Sequence, residues 1–214
     1  MVNEIVAVVL GYLLGSIPTA YIAVRIATGK DIRQLGSANV GGLNTFREVG
    51  IKPAMVVGFI DFGKGAAAVA IAYWLLDVSQ LFVMLAGLTA VIGHMRMVFM
   101  KFSGGNGMSA LFGSLIVLMP VYGYWYGFLI FLGVIAIPFS ITRNVAWSMG
   151  IGLVFLPLIV WLMTESHLAT VLAIAAGVLI ALNFLPTARV SWVKNVSIKG
   201  FIFDRGQRNR GDRR

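Results

Sequence analysis

Long apolar runs separated by short polar ones are the dominant pattern along the chain. A helix needs roughly 20 apolar residues to cross a bilayer core about 30 Å thick. Seven runs approach that length, at 4–27, 53–76, 80–99, 106–120, 122–141, 146–164 and 167–186. The pattern predicts an all-α integral membrane protein, a bundle of seven transmembrane helices. Between the fourth and fifth runs only "MPVYGYW" intervenes, with Pro120 as the breaker, so a six-span or re-entrant arrangement stays open there. The first run lacks the basic flank of a signal peptide and stays apolar past twenty residues, which reads as a retained first helix.

Charge placement gives the orientation, because basic residues concentrate on the cytoplasmic side of a membrane. With seven spans and the N-terminus outside, the inner segments hold Arg25, Lys30, Arg33, Arg47, Lys52, Arg96, Lys101, Arg143 and the tail from Arg189, while the outer ones hold Glu4, Asp77 and Glu165. Only Lys64 falls away from the inner face. The C-terminus is then cytoplasmic, and so are the polar loops 28–52 and 100–107. The expected organisation is one membrane domain, 1–188, and a basic, partly disordered cytoplasmic tail, 189–214.

Composition agrees: 59% of the 214 residues are hydrophobic and only 25 are charged, too few for a soluble domain of this size. No cysteine is present, which excludes disulfides and thiolate metal sites, and the two histidines stand far apart without an HExxH, so no metal site is expected. The 17 basic residues against eight acidic ones do not point to nucleic acid. Basic groups flanking a last span serve topology and attract anionic lipid.

The polar loops carry the candidate chemistry. "GKDIRQLGSANVGGLNTFREVG" holds Ser37, Asn39 and Asn44 as neutral donors and Arg47 as a planar fork suited to phosphate. "KFSGGNGMSALFGSL" sets Gly104, Gly105 and Gly107 directly before a helix, where backbone N–H groups can converge on an anion. Each feature has a plainer reading as a topology anchor, a cap or a tight turn. Two such loops on one face describe a polyanion site at a membrane surface.

Inside the second run, Asp61 and Lys64 stand three apart on one helical face. They read as a self-neutralising structural pair, with Lys64 also able to lend charge to a bound phosphate. His94 closes the third run, and after four intervening residues the position where an acid would stand is Phe99, so no histidine–acid acyltransferase pair forms. An interfacial, helix-end histidine with a possible part in the site is expected, and no nucleophilic triad can be assembled.

"GYLLGSIPTAYI", "GKDIRQLGSANVGGLNTFREVG", "DFGKG" and "GHMRMVFMKFSGGNG", in this order, resemble the bacterial acyl-phosphate-dependent glycerol-3-phosphate acyltransferases over residues 11–150. The resemblance implies a seven-helix enzyme of the bacterial plasma membrane. It implies transfer of an acyl chain from acyl phosphate to glycerol 3-phosphate in phospholipid biosynthesis, yielding lysophosphatidic acid and phosphate on the cytoplasmic side. No cofactor is implied, since an acyl phosphate is already activated. Ser37, Asn44 and Arg47 are implied as catalytic contacts. Asn39, Gly104, Gly105, Asn106, Gly107, Lys101, Lys64, His94 and Asn195 are implied around substrate and its phosphates, with Asp61 structural. Proton removal from the attacking hydroxyl is implied to fall to a substrate phosphate.

The chain departs from that family at three places. Asn106 stands where the glycine loop usually has lysine, Ala146 where serine is usual, and Trp192 where a histidine is expected in the tail. Lys101 is a candidate replacement for the missing cation. A catalytically impaired relative or membrane subunit, and a small-anion transporter built on Asp61 and Lys64, are the competing expectations.

Overall fold

The structure is a computed structural model that describes the backbone of residues 1–194 and side chains through residue 184. Most of the expected tail falls outside those residues, Asn195 among it. Helices α1 (Val2–Gly15), α2 (Thr19–Thr28), α3 (Gly42–Glu48), α4 (Ile51–Ala70), α5 (Gln80–Met95), α6 (Met108–Val121), α7 (Trp125–Thr142), α8 (Val145–Thr164) and α9 (His167–Lys194) follow in order. Single 3₁₀ turns at Ile32–Gln34 and Val98–Met100 shape the links, and a π turn at Ile71–Leu75 ends α4.

Among the described residues six helical stretches are long and apolar enough to cross a membrane. The fourth run of the seven is α6, whose 14 residues rise only about 21 Å. The first run, Val2–Thr28, is long and apolar enough to cross but is broken in its middle, where one continuous helix was expected. Pro18 has no N–H to continue the ladder, so α1 closes at Ser16 and α2 restarts at Thr19. At the break the Ile17 carbonyl accepts from the Thr19 N–H at 3.0 Å and is also open to a side chain.

The chain divides into two compact units, the first ending at Trp125 and the second starting at Tyr126. In the first, α4 packs on α6 and α1 on α5 through glycines. Gly65 lies against Ala110, Gly113 against Phe62, Gly15 against Ala90 and Gly93 against Tyr12 and Ser16. A Cβ at any of these would strike backbone, which is how small residues let helices associate where lipid offers no hydrophobic drive. Large apolar side chains such as Val9, Phe59 and Trp74 are exposed, as a lipid-facing surface requires.

One apolar cluster fixes the polar loops. Ala20 and Val24 of α2 and Val57 of α4 close around Ile32 and Val40 of the first loop and Met97 and Met100 before the second. Burial of the valine, isoleucine and methionine side chains contributes on the order of 1.5–3 kcal/mol each, and holds both loops at the same end of the bundle. In the second unit α8 packs on α9. Asn144 caps α8 by accepting from the Trp147 N–H at 3.1 Å.

Candidate active site

The first loop is organised by one amide. Asn44, buried on α3, accepts from the Ser37 N–H at 3.1 Å and donates to the carbonyls of Leu35 at 3.0 Å and Asn39 at 3.1 Å. Those three bonds commit both of its donors and cinch residues 35–39 into a tight arc. Gly36 and Ala38 sit in the left-handed region there, at φ 52° and 60°. For alanine that conformation costs roughly 1–2 kcal/mol, and such strain concentrates at functional loops. The Ser37 hydroxyl and the Asn39 amide have no partner among the described residues. Asn44 therefore builds the loop, whereas Ser37 and Asn39 keep polar groups available.

The cations of this loop divide similarly. Arg33 forks onto Asp31, with Nη2 2.6 Å from Oδ2, and lies over the Tyr21 ring at 5.7 Å. Its guanidinium holds the Asp31 carboxyl below the usual carboxylate range. Asp31 also caps the 3₁₀ turn by accepting from the Arg33 N–H. Arg33 thus anchors the loop entry. Arg47 stands exposed in the last turn of α3.

The second loop reaches the first directly, where the Val40 N–H donates to the Gly104 carbonyl at 3.3 Å. Lys101 and Phe102 are both left-handed, at φ 53° and 60°, and Gly107 caps α6 at φ 89°, a conformation suited to glycine. Of the expected cradle, Gly105 gives its N–H to the His94 carbonyl at 2.9 Å. The N–H groups of Asn106, Gly107 and Met108 have no partner among the described residues. They stand where a helix begins and where its dipole favours an anion. Asn106 is half-buried beside them, and Lys101 is exposed.

Beneath the loops lies a buried charged cluster. Lys64 Nζ is 2.9 Å from Asp61 Oδ1 and donates to the Ile17 carbonyl at 3.1 Å. The Lys64–Asp61 approach is a charge contact without hydrogen-bond alignment, so both Asp61 oxygens are buried with no aligned donor among the described residues. His94 Nδ1 faces the same oxygen from 3.7 Å and is likewise unpaired, as is the buried Ser16 hydroxyl. Lys64 has only 2% of its side chain exposed, and the partners it meets are Asp61 and the Ile17 carbonyl. His94 stands at the end of α5 as expected, but it is buried beneath the second loop, with 1% exposed.

Neither Ser16 nor the Ile17 carbonyl stands out as a site group in the sequence, although "GSIP" within an apolar run signals a helix break. In the second unit, Ala146 lies half-buried in the first turn of α8. The nearby Ser148 hydroxyl is occupied, donating to the Asn144 carbonyl at 2.8 Å.

The chain is similar to known proteins along most of its length. The family model described as glycerol-3-phosphate acyltransferase matches residues 5–190. Glycerol-3-phosphate acyltransferase 1 of Dehalococcoides mccartyi is 41% identical over 202 residues, 94% of this chain and 97% of that protein. A glycerol-3-phosphate acyltransferase of a Synechococcus species is 38% identical over 178 residues, 83% of this chain and 86% of that one. Crystal structures of PlsY (YgiH), an integral membrane glycerol 3-phosphate acyltransferase, are also similar. Its glycerol 3-phosphate form has a TM-score of 0.74 at 29% identity, covering 89% of this chain and 92% of that one. Its lysophosphatidic acid form has a TM-score of 0.71 at 28% identity, with the same coverage.

Proposed function

The chain belongs to the glycerol-3-phosphate acyltransferase family, and from that premise we propose how its loops carry out the reaction. The protein is a multi-pass membrane acyltransferase that acylates glycerol 3-phosphate to lysophosphatidic acid in phospholipid synthesis. Its acyl donor, in this proposal, is acyl phosphate. The observation that carries the assignment is the junction of the two loops at Val40 and Gly104, beside the unpartnered N–H groups of Asn106, Gly107 and Met108.

The chemistry asks little of a side-chain nucleophile. A hydroxyl of glycerol 3-phosphate attacks the acyl carbonyl, the new ester C–O bond forms, and the bond from the acyl carbon to the phosphate oxygen breaks. Inorganic phosphate leaves, and the hydroxyl proton passes to a phosphate oxygen. What the site supplies is orientation and positive potential. The free N–H groups at the start of α6 hold one phosphate, with Lys101 adding charge in place of the lysine that Asn106 replaces. Arg47, Ser37 and Asn39 hold the second substrate, while Asn44 keeps them in register.

Seven crossings complete the arrangement, with α6 as a short span packed on α4, the N-terminus outside and the loops at the inner face of a bacterial plasma membrane. The partition of basic residues supports this orientation, and the basic C-terminal segment meets anionic lipid. A transporter reading loses its main support, since Asp61 and Lys64 are sealed at 1% and 2% side-chain exposure.

Purified protein with labelled glycerol 3-phosphate tests the donor. Lysophosphatidic acid should form with acyl phosphate and not with an acyl thioester. Product from the thioester alone would overturn the donor assignment, and no product from either would leave an inactive relative.

A further inference from the structure

His94 takes no part in the reaction as described, yet it stands where the buried charges meet the glycine loop. One edge of its imidazole, at Nδ1, faces Asp61 Oδ1 at 3.7 Å. The opposite edge abuts Gly105, where a Cβ would collide with Nε2 and come within 2.9 Å of Cε1. The same Cβ would lie 2.7 Å from the Val40 carbonyl, so Gly105 is pinched between the ring and the first loop. Its N–H bond to the His94 carbonyl closes the contact. Below, Lys64 pins Asp61 to the broken helix through the Ile17 carbonyl.

A general base must come within roughly 2.6–3.2 Å of the proton it takes. His94 is 1% exposed beneath Gly105, so substrate does not reach it. We infer that His94 is a positioning residue: its Nε2 edge is the floor on which Gly105 rests, and it thereby aims the free N–H groups of Asn106 and Gly107 at the substrate phosphate. This inference rests on the functional reading above, in which that loop holds phosphate.

Two substitutions separate the edges of the ring. His94→Asn keeps an amide nitrogen near the Nδ1 position and removes the edge facing Gly105. His94→Gln extends an amide to the Nε2 position and restores that edge. The expected result is a KM for glycerol 3-phosphate raised about tenfold in His94→Asn, with kcat within about threefold, and a KM within about threefold of the parent in His94→Gln. Equal KM changes in both variants, unchanged KM in both, or a loss traceable only to a lowered Tm would overturn it.

The unsubstituted protein provides a measurement that does not depend on variant folding. It contains two histidines, His94 and His167, so ¹⁵N-histidine labelling gives two imidazoles, assigned by His167→Gln. Glycerol 3-phosphate should shift the Nε2 resonance of His94 and leave His167 in place. A protein that forms lysophosphatidic acid while the His94 resonances stay fixed would sink this inference alone. One that forms no product and shows no shift would sink the functional reading and this inference with it.

Discussion

At the scale of single residues, the site depends on which polar groups are spent and which are left over. Asn44 spends both donors on the carbonyls of Leu35 and Asn39. Asn44→Asp preserves its shape but turns oxygens toward those carbonyls. We expect kcat/KM to fall more than tenfold and stability by about 1–3 kcal/mol, read by product formation and thermal melting. Unchanged activity would show that the arc at 35–39 needs no such clasp. Asn106→Lys works in the other direction, restoring a charged donor beside the free N–H groups. A charge-assisted hydrogen bond contributes roughly 1.5–3 kcal/mol, so KM for glycerol 3-phosphate should drop by about tenfold or more, and unchanged kinetics would mean that Lys101 already compensates. Asp31 supplies a pH signature. Arg33 lowers its carboxyl in the folded protein, so the pair stabilises above the unfolded carboxylate range, near pH 4, and loses that contribution as pH falls through the lowered value. Melting of the parent and of Asp31→Asn should therefore converge toward acid pH, and a constant gap would contradict the pairing. The residue types were legible in the sequence, but their division of labour was not. An asparagine in a loop can turn its amide inward or outward, and only its three bonds decide.

At the scale of elements, hydropathy marked the apolar runs well because a bilayer imposes both length and composition on what crosses it. It did not show the break at Ser16–Pro18, since a proline within twenty apolar residues leaves their mean hydropathy high. Nor could it say which helix each glycine meets. That information lies in the packing: Gly113 lies against Phe62 and Gly65 against Ala110, which locks α6 to α4. Gly113→Ala would bring its Cβ within 3.0 Å of the Ala66 nitrogen and against the Phe62 carbonyl. Overpacking of this kind typically costs 1–3 kcal/mol, and here backbone rather than a mobile side chain would have to move. The Tm should fall clearly in Gly113→Ala. It should hold or rise in Gly133→Ala, whose Cβ meets nothing within 4 Å, because alanine is the better helix former. Equal behaviour of the two would contradict the α4–α6 contact.

At the scale of the whole molecule, a charge asymmetry along the chain goes with a candidate site at one end of the first unit. The chain has no cysteine, so single cysteines report sidedness without background. Lys30→Cys should react with an impermeant maleimide only in inside-out vesicles, and Ser79→Cys only in right-side-out ones. Reaction of both in the same vesicles would overturn the orientation. The order of the motifs made the family legible, because a helix-bounded pair of loops is a long, specific pattern. What the sequence left open was how the loops meet, since Val40 and Gly104 are joined by backbone atoms common to every residue. The central claim is that these joined loops bind the two substrates for acyl transfer. The most direct measurement is kcat/KM for lysophosphatidic acid formation by purified parent and Arg47→Ala, with acyl phosphate and labelled glycerol 3-phosphate. The account predicts one phosphate released per lysophosphatidic acid by the parent, and a loss of at least about a hundredfold in Arg47→Ala, since an arginine–phosphate contact made in the transition state carries on the order of 3 kcal/mol. Full activity in Arg47→Ala, or no product from the parent, would contradict it.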